Sequence, residues 1–151
     1  MGLYYEDIEI GREYVSPGRT ITETDVVQFA GLSGDYNPIH TDAEFARESA
    51  FGERIAHGLL GVAVISGLSA RIGLFDGTAI AFLGLSWDFT GPIRLGDTVH
   101  LRMTIAEKRE TSKPDRGVIH RDMRLVNQHG ETVQKGVFKL MVKRRPGGAG
   151  E

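Results

Sequence analysis

The residue types best able to do chemistry are concentrated between Ser33 and Gly58, in the run SGDYNPIHTDAEFARESAFGERIAHG. Asp35 and His40 stand five residues apart across Pro38, close enough for a proline-stiffened turn to bring both side chains to one small volume. A carboxylate beside an imidazole suits proton transfer near neutral pH, because burial and each other's charge tune both groups toward the working pH. Asn37, between them, is able to hydrogen-bond either one. A second feature is His57-Gly58 at the start of an apolar run. If that run is a helix, its first N–H groups and dipole suit a developing oxyanion, and glycine admits a ligand close to the backbone. On residues alone, a plain turn of Asp, Asn and Pro with a packed histidine explains the first cluster equally well. A loop-to-helix glycine beside a packed histidine likewise explains the second.

Other chemistries fit poorly. His40 and His57 are 17 residues apart with no second ligand pair, so no zinc signature is present and no metal is expected. Gly31-Leu32-Ser33-Gly34 lacks the spacing of a nucleophile elbow, and the same stretch has no phosphate-loop lysine. His100, His120 and His129 fall in strand or turn contexts and look incidental.

The elements that must position these residues follow from periodicity and turn chemistry. A first extended segment is expected over Glu13–Ile21, interrupted at Ser16-Pro17-Gly18. Thr22 or Thr24 then caps a helix with Val26, Val27, Phe29 and Ala30 on its apolar face, ended by Gly31 and Gly34. Pro38 keeps Asn37 out of the helical region. Asp42 caps a short helix over Ala43–Glu48 with Phe45 and Ala46 turned inward. The segment Ile55–Ile72 is apolar or small almost throughout, and its length predicts one buried helix of about 27 Å. Four strands follow: Ala79–Phe89, a segment alternating through Val99, Leu101, Met103 and Ile105, Val118–Val126, and Thr132–Lys143. In the last, Val133, Val137 and Met141 should share one face and Phe138, Leu140 and Val142 the other. Asn127–Gly130 reads as a hairpin turn, and 146–151 as a flexible tail. Strand, helices, then consecutive strands indicate a single α+β domain over 1–151, a mainly antiparallel sheet wrapped around one long helix.

Composition narrows the function class. The chain has 151 residues, a formal net charge of −2 and no cysteine. That removes disulfides, thiolate metal sites and cysteine nucleophiles, and gives no electrostatic reason to expect nucleic acid or an anionic membrane. The basic run Lys139–Arg145 alternates with apolar residues and reads as a solvated strand face. No signal peptide or membrane-length apolar run is visible, so a cytoplasmic protein is expected.

GDYNPIHTD followed by IAHG resembles the hydratase-2 motif of the MaoC-like dehydratases, the (R)-specific enoyl-CoA hydratases. The resemblance extends to Trp87-x-Phe89-x-x-Pro92-Ile93-x-x-Gly96-Asp97 and covers nearly the whole chain. It implies the hotdog fold, a curved sheet around one helix, and a homodimer or higher homo-oligomer. It implies that Asp35 and His40 activate water, deliver it to C3 of a trans-2-enoyl thioester and provide the proton at C2. The Gly58 N–H would hold the thioester oxygen, Asn37 would support the pair, and Ser66 would lie near the site, with His57 structural. No cofactor is implied; the coenzyme A thioester is substrate. Two alternatives use the same residues, a dehydratase of acyl-carrier-protein thioesters and one of branched or dicarboxylic CoA esters. An acyl-CoA thioesterase of this fold would place a carboxylate on or near the helix, and Ile55–Ala70 has none. A non-catalytic acyl-CoA-binding subunit would not need the intact Asp35/Asn37/His40 set.

Overall fold

The computed structural model describes residues 1–147. After a 3-10 turn at Tyr5–Asp7 come β1 (Glu13–Val15), β2 (Arg19–Thr20) and helix α1 (Glu23–Ser33). Two short helices, α2 (Pro38–Thr41) and α3 (Ala43–Arg47), precede the long helix α4 (Gly58–Ile72). Four long strands complete the chain: β3 (Ala79–Phe89), β4 (Thr98–Glu110), β5 (Arg116–Val126) and β6 (Thr132–Lys143). The sheet is antiparallel in the order β1-β4-β5-β6-β3, with β2 also paired to β4. The first extended segment breaks at Pro17, which lacks an N–H. Ser16 repairs the ladder there, its Oγ accepting the Leu101 N–H at 2.8 Å.

The core lies between α4 and the concave face of the sheet. Leu60, Val64, Ile65 and Leu68 of α4 meet Val99, Leu101 and Met103 of β4, Met123 and Leu125 of β5, and Phe138 of β6. The alternation expected in β4 holds through all four of its positions, Val99, Leu101, Met103 and Ile105, each fully buried.

The structure corrects several expectations. Helix α4 begins at Gly58 rather than Ile55, because the preceding backbone is engaged in extended pairing: Ile55 bridges Arg94, and the Ala56 N–H bonds the Ile93 carbonyl at 2.8 Å. Its 15 residues span about 22 Å. Nor is it buried all round in the single chain: Leu59, Ala63, Ser66, Gly67 and Ala70 form an exposed face. In α1 Val26 and Ala30, four apart, are buried and Phe29 packs partly buried against the same core, while Val27 is exposed. Gly31 lies inside α1, and Gly34 ends it with φ 76°. In α3, Ala46 is buried but Phe45 points outward, since so short a helix turns only one side to the core. β5 starts at Arg116, before Val118. Val133 belongs to the core with Phe138, because the β5–β6 register shifts at Leu125/Val126. Pro146 and Gly147 form a turn, and the rest of the expected tail lies outside the described residues.

Candidate active site

Local backbone chemistry delivers Asp35 and His40 to one place. α1 is started by a capping box in which Thr22 Oγ1 accepts the Asp25 N–H and Asp25 accepts the Thr22 N–H. After Gly34, the Ser33 hydroxyl oxygen takes the Asp35 N–H at 3.1 Å, and Asp35 Oδ1 takes the Asn37 N–H at 3.1 Å. The Asn37 side chain caps α2, its Oδ1 accepting the Ile39 N–H at 3.2 Å, with Pro38 in the first helical position where its missing N–H costs nothing. Asn37 therefore supports Asp35 through its backbone, while its side chain orders the turn that carries His40.

His40 is nearly buried. Its Nδ1–H donates to the Ile55 carbonyl at 2.7 Å, which directs Nε2 at Asp35 Oδ2, 4.0 Å away. That gap is too long for a hydrogen bond. It suits one shared water or substrate atom. The side chain of Asp35 is 50% exposed and that of His40 11%, so the pair sits at a mouth, with the imidazole behind the carboxylate.

His57 completes the cluster. It is 2% exposed, and its ring stacks on His40 with centroids 3.9 Å apart and planes inclined by 26°. Its Nε2–H donates to the Asp35 carbonyl at 2.8 Å, so the residue that stacks on His40 also pins the backbone of Asp35. Nδ1 of His57 is buried and has no hydrogen-bond partner among the described residues. Ligand atoms of Asp35, His40 and His57 lie within 4.8 Å of one another, the donor set a divalent transition metal would use. Two of the four ring nitrogens are already committed to carbonyl oxygens. The sequence did not signal that His57 joins the pair, because stacking across 17 residues depends on how α4 docks.

Gly58 is the first residue of α4, whose N-terminus has no side-chain cap. The first intrahelical bond runs from the Leu60 N–H to the His57 carbonyl, so the N–H groups of Gly58 and Leu59 precede it. A Cβ at position 58 would lie 2.8 Å from the ring of Phe89, so glycine is what lets that aromatic cover the helix start. Gln134, 1% exposed, holds the same turn to the sheet: Nε2–H donates to the Gly58 carbonyl at 3.0 Å and Oε1 accepts from Trp87 Nε1–H at 3.1 Å. Sequence reasoning passed over Gln134. Its one signal is an amide in alternation with Phe138, Leu140 and Val142, which puts it on their inward face.

Three cavities surround these groups. One of about 440 Å³ is lined by His40, Ile55, Gly58, Phe89 and Gln134. A second of about 280 Å³ is lined by Asp35, Ser33, His57, Gly58 and Phe89. They meet at Gly58 and Phe89, so Asp35 and His40 look onto the Gly58 turn from two sides. The third, about 590 Å³, runs along the open face of α4 and shares Phe29 and Leu59 with the second. Ser66 lines this larger space and neither of the others. Arg54 braces the assembly, gripping Glu23 of α1 through both carboxylate oxygens (3.0 and 2.6 Å) and reaching the His40 carbonyl at 3.4 Å. That grip holds the Glu23 carboxyl below the usual glutamate range.

The arrangement offers a base, an acid partner and an uncapped helix N-terminus around one turn of backbone. Residues 7–124 match the family model described as MaoC like domain. A 3-hydroxybutyryl-CoA dehydratase of Methylorubrum extorquens is 39% identical over 106 residues, which is 70% of this chain and 65% of that protein, so the chain spans about two thirds of that relative. An (R)-specific enoyl-CoA hydratase of Aeromonas caviae is 31% identical over 137 residues, 89% of this chain and 97% of that one. Among solved structures, a MaoC-like dehydratase of Rhodospirillum rubrum superposes with a TM-score of 0.87 at 32% identity, over 96% of this chain and 99% of that one. A Mycobacterium tuberculosis protein described as a double hotdog fold gives a TM-score of 0.87 at 20% identity, over 99% of this chain and 47% of that one, a likeness of fold alone. With its antiparallel sheet wrapped over α4 and its family match across residues 7–124, the chain belongs to the MaoC-like family and has the hotdog fold.

Proposed function

We propose that this chain is a hydro-lyase that reversibly adds water to a trans-2-enoyl-CoA, giving the (R)-3-hydroxyacyl-CoA. The observation that carries the proposal is the approach of Asp35 Oδ2 and His40 Nε2 to 4.0 Å beside the uncapped start of α4 at Gly58. A water between them gives a proton to the pair as its oxygen bonds to C3. The C2–C3 π electrons move toward C1, and negative charge collects on the thioester oxygen, where the Gly58 N–H receives it. The pair then delivers a proton to C2, and dehydration runs the same steps in reverse. The thioester carbonyl is the electron sink, so the chain needs no cofactor, and chelator should leave the rate unchanged. Asn37 orders the turn, and Ser66 lies along the acyl path.

An acyl-carrier-protein thioester, or a branched or dicarboxylic CoA ester, would use the same residues and differ at the entrance or the far end of the pocket. Thioester hydrolysis is disfavoured because α4 carries no carboxylate. Among the described residues no helix is long and apolar enough to cross a membrane, and we place the protein in the cytoplasm, with no nucleic acid or membrane partner. We further infer a homodimer. β3 is a long sheet edge that exposes Ile80, Phe82, Leu83 and Leu85, an arrangement that invites pairing with the same strand of a second copy. The decisive assay follows the conjugated enoyl absorbance of crotonyl-CoA and free thiol in parallel. Loss of absorbance without thiol supports hydration, and thiol release would overturn it in favour of a thioesterase.

A further inference from the structure

Arg121 occupies the middle of β5 on its core-facing side, in alternation with Ile119 and Met123. It is 5% exposed, and its guanidinium lies 5.8 and 5.7 Å from the ring centroids of Phe75 and Phe138. Among the described residues its hydrogen bonding is limited to Nη1–H donating to Ser69 Oγ at 3.0 Å, and Nε is buried with no acceptor. No carboxylate pairs with it among those residues. Burial pushes its pKa down to about 10, so the group is still charged at neutral pH. A buried cation without an anion is costly, and the two aromatic faces offset only part of that cost.

The same side chain lines the cavity of about 590 Å³, whose other walls include Leu74, Ala79, Phe82 and Phe138 with Ser66 and Ser69 of α4. Asp76, the acid on that wall, is exposed and forms no ion pair with Arg121. Through Phe29 and Leu59 the cavity adjoins the space that holds Asp35 and Gly58. Ser69 follows Gly58 by 11 residues on α4, about 16 Å along the axis. A chain held by its thioester at Gly58 would therefore run along an apolar wall and end at a cation.

We propose that Arg121 is a specificity-determining residue that receives a carboxylate at the far end of the acyl chain, so that the enzyme acts on enoyl-CoA esters of dicarboxylic acids. This rests on the hydratase reading of Asp35, His40 and Gly58. With Nη1 anchored on Ser69 and Nε buried, Nη2 is the N–H donor left to meet a carboxylate oxygen. The methylenes of such a substrate fit the apolar wall, and its charge neutralises the buried cation. A methyl-terminated chain of equal length leaves that cation unpaired, so discrimination acts in both directions.

The test is a series of enoyl-CoA esters from about six to about fourteen carbons, a range set by the axial distance above. Each ω-carboxylate is paired with its ω-methyl counterpart, and crotonyl-CoA serves as the common reference. The unmodified protein should favour the ω-carboxylate about tenfold or more in kcat/KM at one or more lengths. Arg121→Met should abolish or invert that preference while crotonyl-CoA turnover persists, and Arg121→Lys should fall between. If the unmodified protein hydrates crotonyl-CoA but prefers the ω-methyl ester at every length, the inference is overturned and the hydratase reading stands. Equal slowing of both series by Arg121→Met would overturn it in the same way. If neither series nor crotonyl-CoA reacts, the hydratase reading fails and this inference with it. Should the variants not fold, the comparison on the unmodified protein decides alone.

Discussion

Gln134→Leu tests whether the start of α4 is held where an oxyanion donor must be. The wild-type amide joins two elements, donating to the Gly58 carbonyl at 3.0 Å and accepting from Trp87 Nε1–H at 3.1 Å. Leucine fills a similar volume and removes both bonds. The Gly58 carbonyl, inside α4, retains its intrahelical role as an acceptor, so its loss is about 1 kcal/mol. Trp87 Nε1–H loses its acceptor in a half-buried position, at a cost of about 1–3 kcal/mol. Apolar burial of leucine returns part of this, and the net destabilisation should be about 2 kcal/mol, read as a lower urea midpoint at unchanged slope. Function should suffer beyond stability, because the turn that loosens carries the Gly58 N–H. At a temperature where the variant remains folded, kcat on crotonyl-CoA should fall at least tenfold with KM nearly constant, the signature of an interaction strengthened in the transition state. A variant destabilised by less than about 0.5 kcal/mol, or with unchanged kcat, would refute the claim that Gln134 positions this turn.

Asp35→Asn and His40→Ala should each lower kcat by at least about a hundredfold while retaining the unfolding midpoint within about 1 kcal/mol, and near-wild-type turnover in either would remove that residue from the mechanism. Gly61→Ala would place a Cβ against the Gln134 amide, so it should destabilise by about 1–3 kcal/mol, and by clearly less in a Gln134→Ala background; equal costs in both would show that the contact is not the cause. Glu23 has its folded pKa lowered by the Arg54 hydrogen bonds, so its contribution is present above the unfolded glutamate value of about 4.3 and is lost as pH falls through the folded one. Wild type should exceed Glu23→Gln by at most about 1 kcal/mol at neutral pH, with the gap closing in acid, and a pH-independent gap would contradict the linkage. Leu85→Lys on the exposed β3 edge should shift the protein toward monomer in light scattering, and an unchanged mass would place the interface elsewhere.

How much of this was legible in the sequence depended on the range of the interaction involved. Strand β4 could be read residue by residue because alternation is a local consequence of the pleat, and the strand meets one core face along Val99–Ile105. Helix ends were legible where a local device sets them, as with Thr22, Asp42 and Gly34. They failed where a distant partner decides: Ile55 and Ala56 have helical company in sequence, yet they are drawn into extended pairing by Ile93 and Arg94, nearly 40 residues on. Val133 failed for the same reason, since a bulge against β5 overrides the alternation of β6.

The site divides along the same line. Asp35, Asn37, Pro38 and His40 are neighbours whose turn chemistry nearly dictates their meeting, so residue types and spacing sufficed to nominate them. His57, Gln134 and Arg121 matter through contacts that close over long stretches of chain: a stack on His40, a bridge from β6 to Gly58, and a cation carried by β5 into the cavity along α4. None of these has a local signature. The consequence is a division of labour that sequence can read in only one half. On the proposed hydratase reading, the reaction is specified by a compact turn. On the same reading, what would surround the acyl chain is set by single side chains on separated elements, and a residue such as Arg121 lines the far end of the cavity without touching the turn.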